Sequence, residues 1–326
     1  MAVLACLLAG AHLSVACGSR TGLFVLEEAP ATDAAPPPDT ALEASEDVAV
    51  DTAADTSSEA DVGVDALPMI DAAPLPDVTV VGCLDAGATE IYLVSAQNEL
   101  MSFYPPTLDF AMIGTLACPA NAMAAPNSMG VDRTGTAFVN FSDGELFQVS
   151  TASAACIATP FLPAQSGFTQ FGMGYVGDPE DGGDTLYVAA DFSTTGLATI
   201  DTTSFLLTVV GQFGPSPIAS PELTGTGDGR LFTFYTDPSD PNSSIISQVD
   251  PLTAQEIASN PLPGVMQGPD YAFSFWGGDF YLFTNPNGDH SVVTRYSPSD
   301  GSITTVASLP SGTFIVGAGV STCAPR

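Results

Sequence analysis

The chain has 326 residues, a formal net charge of −32 and only five arginines and lysines together. Such an excess of acid repels phosphate backbones and anionic headgroups, which argues against nucleic acid as a partner and leaves cations as the natural attraction. The length suits one large domain or two ordinary ones.

Residues 2–16, AVLACLLAGAHLSVA, form one apolar run. It is too short for a stable membrane span and suits the core of a secretory signal, so residues 1–16 are predicted to be a signal peptide. Val15 and Ala16 before Cys17 resemble the lipobox of bacterial lipoproteins. In that family the signal is cut before the cysteine, which then carries diacylglycerol. Leu13 stands one place further from the cysteine than the usual pattern has it, and no basic residue precedes the apolar run. The resemblance implies lipidation of Cys17, residues 17–26 as the anchor segment, and export to the cell envelope as an outer-membrane lipoprotein held by lipid alone.

Residues 27–80 hold 14 acids, no base and no aromatic residue. A segment so poor in apolar surface cannot offset its chain entropy, and like charges keep it extended. It is predicted to be a disordered acidic Ala/Asp/Pro linker that tethers the rest of the chain.

From residue 81 to 326 the texture is that of an all-β domain: short stretches of alternating polarity, and no helical period of useful length. One phrase recurs five times: SFYPPT from Ser102, QVSTAS from Gln148, TIDTTS from Thr199, QVDPLT from Gln248 and RYSPSD from Arg295. Its second residues, Phe103, Val149, Ile200, Val249 and Tyr296, are spaced by 46, 51, 49 and 47. A second series, Tyr92, Phe138, Tyr187, Phe232 and Tyr281, runs at 46, 49, 45 and 49. Two series with one period, and several short strands per unit, predict a five-bladed β-propeller. The second series is expected to pack between blades.

The first unit lacks an inner strand, while the chain closes with FIVGAGVST, an inner-strand pattern without its blade. The C-terminal strand is therefore predicted to complete blade one. That closure brings Cys83 and Cys323 to one rim and predicts a disulfide between them. Cys118 and Cys156 then pair by default, although strand order nominally puts them at opposite rims, so a bend in the 118–128 connection is expected. The four cysteines lack the close pairs of a zinc site.

The stretch SMGVDRTGTAFV, Ser128 to Val139, resembles the repeats of secreted NHL and streptogramin-lyase-like propellers, a likeness extending loosely over residues 83–323. The lyases among them use histidines and a divalent metal. Here His290 is the only histidine outside the signal, and no lysine exists for Schiff-base chemistry. No catalytic residue is assigned. Asp178, Glu180, Asp181 and Asp184 gather hard oxygen ligands on the glycine-rich loop GDPEDGGD, a candidate calcium site and the one cofactor expectation. The loops Thr236–Ser244 and Asn285–Ser291 are longer than their counterparts, making Asp237, Asp240, Asn242, Asn285, Asn287, Asp289 and His290 candidate binding residues on one rim. Trp276 is expected in the core or along the central channel. The functional expectation is a monomeric, envelope-tethered, non-catalytic binding or scaffolding module for an envelope protein or glycan. Its rivals are a carboxylate- or metal-dependent hydrolase of a carbohydrate or lactone in the channel, and a structural surface component.

Overall fold

The computed structural model describes residues 68–70, 83, 89–191, 196–214 and 218–326, all within one compact unit, Gly63–Arg326. The signal peptide, Cys17 with its anchor segment, and all of the 27–80 linker except Pro68–Ile70 lie outside the described residues.

Twenty strands among the described residues form five four-stranded antiparallel sheets arranged as the blades of a propeller. Blade one holds β1 (Ile91–Ser95), β2 (Glu99–Tyr104) and β3 (Asp109–Thr115), with β20 (Ile315–Val320) as its inner strand. Blade two runs outward through β4 (Pro126–Val131), β5 (Thr136–Phe141), β6 (Leu146–Ser150) and β7 (Cys156–Ala158). Blade three comprises β8 (Phe171–Gly177), β9 (Asp184–Ala190), β10 (Leu197–Ile200) and β11 (Leu207–Gly211). Blade four comprises β12 (Glu222–Gly225), β13 (Leu231–Thr236), β14 (Ser244–Val249) and β15 (Glu256–Leu262). Blade five comprises β16 (Tyr271–Trp276), β17 (Asp279–Thr284), β18 (Val292–Ser297) and β19 (Ser302–Ser308). The predicted closure is present: β20 pairs with β1 from Ile91 opposite Val320 to Ser95 opposite Ile315.

The recurrent phrase is the hairpin joining each third strand to its fourth. In every blade a residue in the left-handed region, Leu108, Ala154, Phe205, Ala254 or Gly301, comes five positions after the phrase's apolar second residue. Its N–H donates to the carbonyl four residues back, on Tyr104, Ser150, Asp201, Asp250 and Ser297 respectively, at 2.7 to 2.9 Å. Asp201, Asp250 and Asp300 also accept backbone N–H groups within these turns, which accounts for the acids and hydroxyls of the phrase.

Each aromatic of the second series belongs to the apolar cluster between its own blade and the next: Tyr92 to blades one and two, Phe138 to two and three, Tyr187 to three and four, Phe232 to four and five, Tyr281 to five and one. The core is thus five interfaces arranged in a ring. Trp276 packs at the edge of the last of these, its Nε1–H donating to the Thr89 carbonyl at 2.9 Å.

At the axis the inner strands approach backbone to backbone. A Cβ on Gly172 would lie 2.1 Å from the Pro221 carbonyl oxygen, and one on Gly225 2.2 Å from that of Tyr175. Around Gly130, Gly174, Gly225 and Gly319 the gap left at mid-height is too narrow for a water molecule. The channel is closed in its middle.

Both disulfides form, Cys83–Cys323 with Cα atoms 5.3 Å apart and Cys118–Cys156 with 4.9 Å. The second corrects the expectation of opposite rims. Strand twist swings an outer strand well away from the direction of its inner strand, so the far end of β3 meets the near end of β7 in the next blade. Gly114 near the end of β3 accordingly abuts Ala154, and Gly211 at the end of β11 abuts Thr253 and Ala254 in the same way.

Gly225→Ala is expected to cost more than about 3 kcal/mol, because the intruded atom is backbone and cannot rotate aside. Gly214→Ala, with open space around it, is expected to shift stability by less than about 0.5 kcal/mol; urea melts of the two variants check the contrast. Cys83–Cys323 closes a span of 240 residues against 38 for Cys118–Cys156. Chain entropy then makes Cys323→Ser costlier than Cys156→Ser by about 1–2 kcal/mol, measured by the same melts under non-reducing conditions.

Candidate functional site

The antiparallel order sorts the connections onto two faces. One, here the upper face, carries the loops between second and third strands and the crossovers that enter each inner strand. The lower face carries the remaining hairpins. The upper face holds both lengthened loops, 237–243 and 285–291.

Where the inner strands begin, the upper face opens into a cavity of about 450 Å³ lined by Asn127, Asp191, Ser220, Glu222, Asp270 and Tyr271 among others. That volume is typical of small-ligand sites. Because the channel is closed below, the cavity is blind. Glu222 opens β12 at its floor, 6 % exposed. Its Oε2 accepts the Ser128 hydroxyl from the inner strand of blade two at 2.8 Å, and that hydroxyl accepts the Met173 N–H of blade three at 3.1 Å. One carboxyl therefore links three blades. Burial pushes Glu222 well above the usual carboxylate range, with the Ser128 hydrogen bond opposing and the nearby Asp191 charge adding to the shift. Asp191, in the loop after β9, is raised too, by burial. Tyr271 is kept protonated by burial and by the charges of Glu222 and Asp191, and its hydroxyl donates to the Ser220 carbonyl at 2.6 Å. Asp270 accepts the Asn285 side-chain amide at 2.9 Å.

The lower mouth is the electrostatic opposite. Arg133 Nε donates to Asp184 at 2.9 Å, Arg230 Nε to Asp228 at 3.0 Å, and Arg326 stands 3.6 Å from the other Asp228 oxygen. Burial alone would raise Asp228, but hydrogen bonds from Arg230 and Thr226 and the two guanidinium charges outweigh it and hold the carboxyl below its usual value. The C-terminal segment crosses here, Thr322 donating to Asp184 at 2.9 Å and Gly277 N–H to the Pro325 carbonyl at 2.8 Å. Arg295 lies 3.8 Å from Asp279 at the start of β17, on this same half. Every arginine among the described residues serves the lower half, so among these residues the upper mouth has acids without arginine, and the sequence holds no lysine.

The candidate residues from sequence fall into separate groups. Asn285 reaches the cavity wall through Asp270 and is itself buried. Asp237 and Asp240 fold their own loop: Asp237 accepts Ser239, while Asp240 accepts Asn242 and Ser243, which lower its carboxyl. Asp289 accepts the Ser311 hydroxyl at 2.7 Å and contacts His290 Nδ1 at 2.9 Å; with Asn287 exposed, this loop tip stands apart from the cavity. On the lower face, Asp178 accepts the Glu180 and Asp181 N–H groups, Asp181 that of Gly183, and Asp184 turns to Arg133. Among the described residues no three His, Cys, Asp or Glu side chains gather as a metal-holding group.

Glu222, Asp191, Asp270, Tyr271 and Asn127 were not singled out from sequence. A signal existed for one of them. In PELTGTGDGR, Glu222 is an acid at the head of an inner strand, where its blade-mates are Pro126, Phe171, Tyr271 and Ile315.

No protein-family profile matches the chain, and no curated protein matches it in sequence. Solved structures resemble it weakly. A protein of unknown function from Bacteroides caccae is 11 % identical, with a TM-score of 0.37, covering 71 % of this chain and 98 % of its own. TolB from Acinetobacter baumannii is 10 % identical, with a TM-score of 0.39, covering 70 % and 55 %. A structural-genomics protein of unknown function from Bacteroides thetaiotaomicron is 13 % identical, with a TM-score of 0.44, covering 74 % and 67 %.

Replacing Glu222 tests the floor of the cavity. Glu222→Gln retains an oxygen for the Ser128 hydroxyl but never ionises. An unfolded glutamate loses its proton near pH 4.3, whereas the folded one holds it to higher pH, so the wild type loses stability as pH climbs through that window. Wild type and variant should be about equal at pH 4, with the variant ahead by about 1 kcal/mol or more at pH 7. Urea midpoints at the two pH values check this, and a difference that ignores pH would show that folding does not raise Glu222.

Proposed function

We propose that the chain is an exported binding module held at the cell envelope, and that the upper mouth takes a ligand's amine, as borne by an amino sugar of an envelope glycan. The observation that carries this reading is the blind cavity with Asp191, Glu222 and Asp270 in its lining and every described arginine on the opposite half. Low-dielectric walls focus the field of ionised acids on a cation, and a bound amine would favour the ionised forms of Glu222 and Asp191, which burial otherwise disfavours. Tyr271 adds an aromatic surface beside the acids. Two disulfides fit export, since such bonds persist in oxidising compartments. Tethering rests on the likeness of the Cys17 region to a lipobox and on the acidic composition of residues 27–80.

A second reading, a carboxylate-dependent hydrolase of a carbohydrate, has one observation in its favour. Two carboxyl groups, Glu222 and Asp191, share the cavity, and glycoside cleavage uses a protonated acid, the role the raised Glu222 would fill, with a second carboxyl in ionised form.

Calorimetry with chitosan oligomers at pH 6 should show binding that weakens with added salt. Fully N-acetylated oligomers should give none, and Asp191→Asn should cost about tenfold in affinity. Equal binding of both oligomers would remove the amine from the reading. Turnover of the oligomers that Glu222→Gln abolishes would establish the hydrolase instead.

A further inference from the structure

The outer strands differ from one another in one respect. β3, β7, β11 and β19 contain no buried residue, as expected of blade edges that face solvent. β15 instead buries Ala258, Asn260 and Leu262. Part of the cover is a short piece of the chain's own N-terminal region, Pro68–Ile70. The Ser259 N–H, on the open edge of the sheet, donates to the Pro68 carbonyl at 2.9 Å, and the Ile70 N–H donates to Asn260 Oδ1 at 2.8 Å. The Ile70 side chain, 3 % exposed, enters the apolar cluster between blades four and five with Phe232, Ala258, Leu262 and Phe273, while Met69 points away at 71 % exposed. One side chain turned in beside two exposed ones, with one main-chain hydrogen bond to an edge strand and a second from the segment's backbone to an edge side chain, is a short form of the way an extended segment augments a sheet.

Asn260 makes the site specific. Its Oδ1 takes the Ile70 N–H and its Nδ2 donates to the Tyr296 hydroxyl of blade five. With the segment in place, this buried amide has both of its ends satisfied by protein groups.

We infer that the outer edge of blade four is a docking groove for an extended apolar segment, and that Pro68–Ile70 occupies it in cis, latching the N-terminal region to the ring. Ile70 lies thirteen positions before Cys83, so among the described residues the N-terminal part of the unit is fastened to the ring at two places, at blade four and at the disulfide.

Hydrogen exchange on the full chain tests this, with Ile70→Asp, the milder Ile70→Ala and the solvent-facing Met69→Asp compared to wild type. The expected result is exchange at the Ser259 amide faster by about tenfold or more in both Ile70 variants, with Met69→Asp and the amides of blade two unchanged. A synthetic peptide of residues 64–74 added to Ile70→Asp should restore the protection. Ser259 exchanging alike in wild type and both Ile70 variants would overturn the proposal, as would blade two losing protection to the same extent. A wild-type dimer by light scattering that loses Ser259 protection on dilution to monomer would show the groove filled by a second copy and overturn the cis assignment.

Discussion

Five inner strands crowded around one axis set the terms for the rest of this molecule. A ring of five blades leaves so little room at its centre that neighbouring backbones touch, and glycine at positions such as 172 and 225 is what lets them do so. The same crowding closes the channel at mid-height, so the two mouths are separate places and not the ends of one tunnel. It also fixes the position of Glu222. Standing at the head of an inner strand, its carboxyl has no solvent behind it and meets hydroxyl and backbone groups from neighbouring blades.

The two mouths show how few cations are needed to give a strongly acidic ring two faces of different character. The lower mouth commits its guanidinium groups to Asp184 and Asp228, and the C-terminal segment lies across it. The upper mouth has two acids raised by burial, Glu222 further by the charge of Asp191, and no described arginine to relieve them. An incoming positive group would find there what the lower mouth already has. Loop length adds to the asymmetry, since the extended connections of blades four and five rise on the upper side.

Much of the architecture was legible in the sequence because it repeats. The recurrent phrase marks a hairpin whose left-handed residue falls five positions after the apolar one in all five blades, and the aromatic series marks the five interfaces. The ring closure and the Cys83–Cys323 bond come from counting strands. The parts that do not repeat were harder to read. The Cys118–Cys156 bond depends on blade twist, which a list of strands in order does not carry. Glu222 and Asp191 lie thirty-one positions apart and meet only through the curvature of the ring. Pro68–Ile70 is three residues in a stretch of uniform composition, and its fit depends on an asparagine nearly two hundred positions away.

The disulfide at the seam has a mechanical consequence. Ile91 at the start of β1 sits opposite Val320 at the end of β20, and Cys83 and Cys323 lie just beyond those two residues. Once the Pro68–Ile70 contact has given way, tension arriving along the chain at Cys83 divides between both strands of the pair at the same end. The two strands are drawn together in one direction, instead of one being sheared past the other or peeled from it. The seam, which would be the first place for an uncrosslinked ring to tear, becomes a point where load is shared.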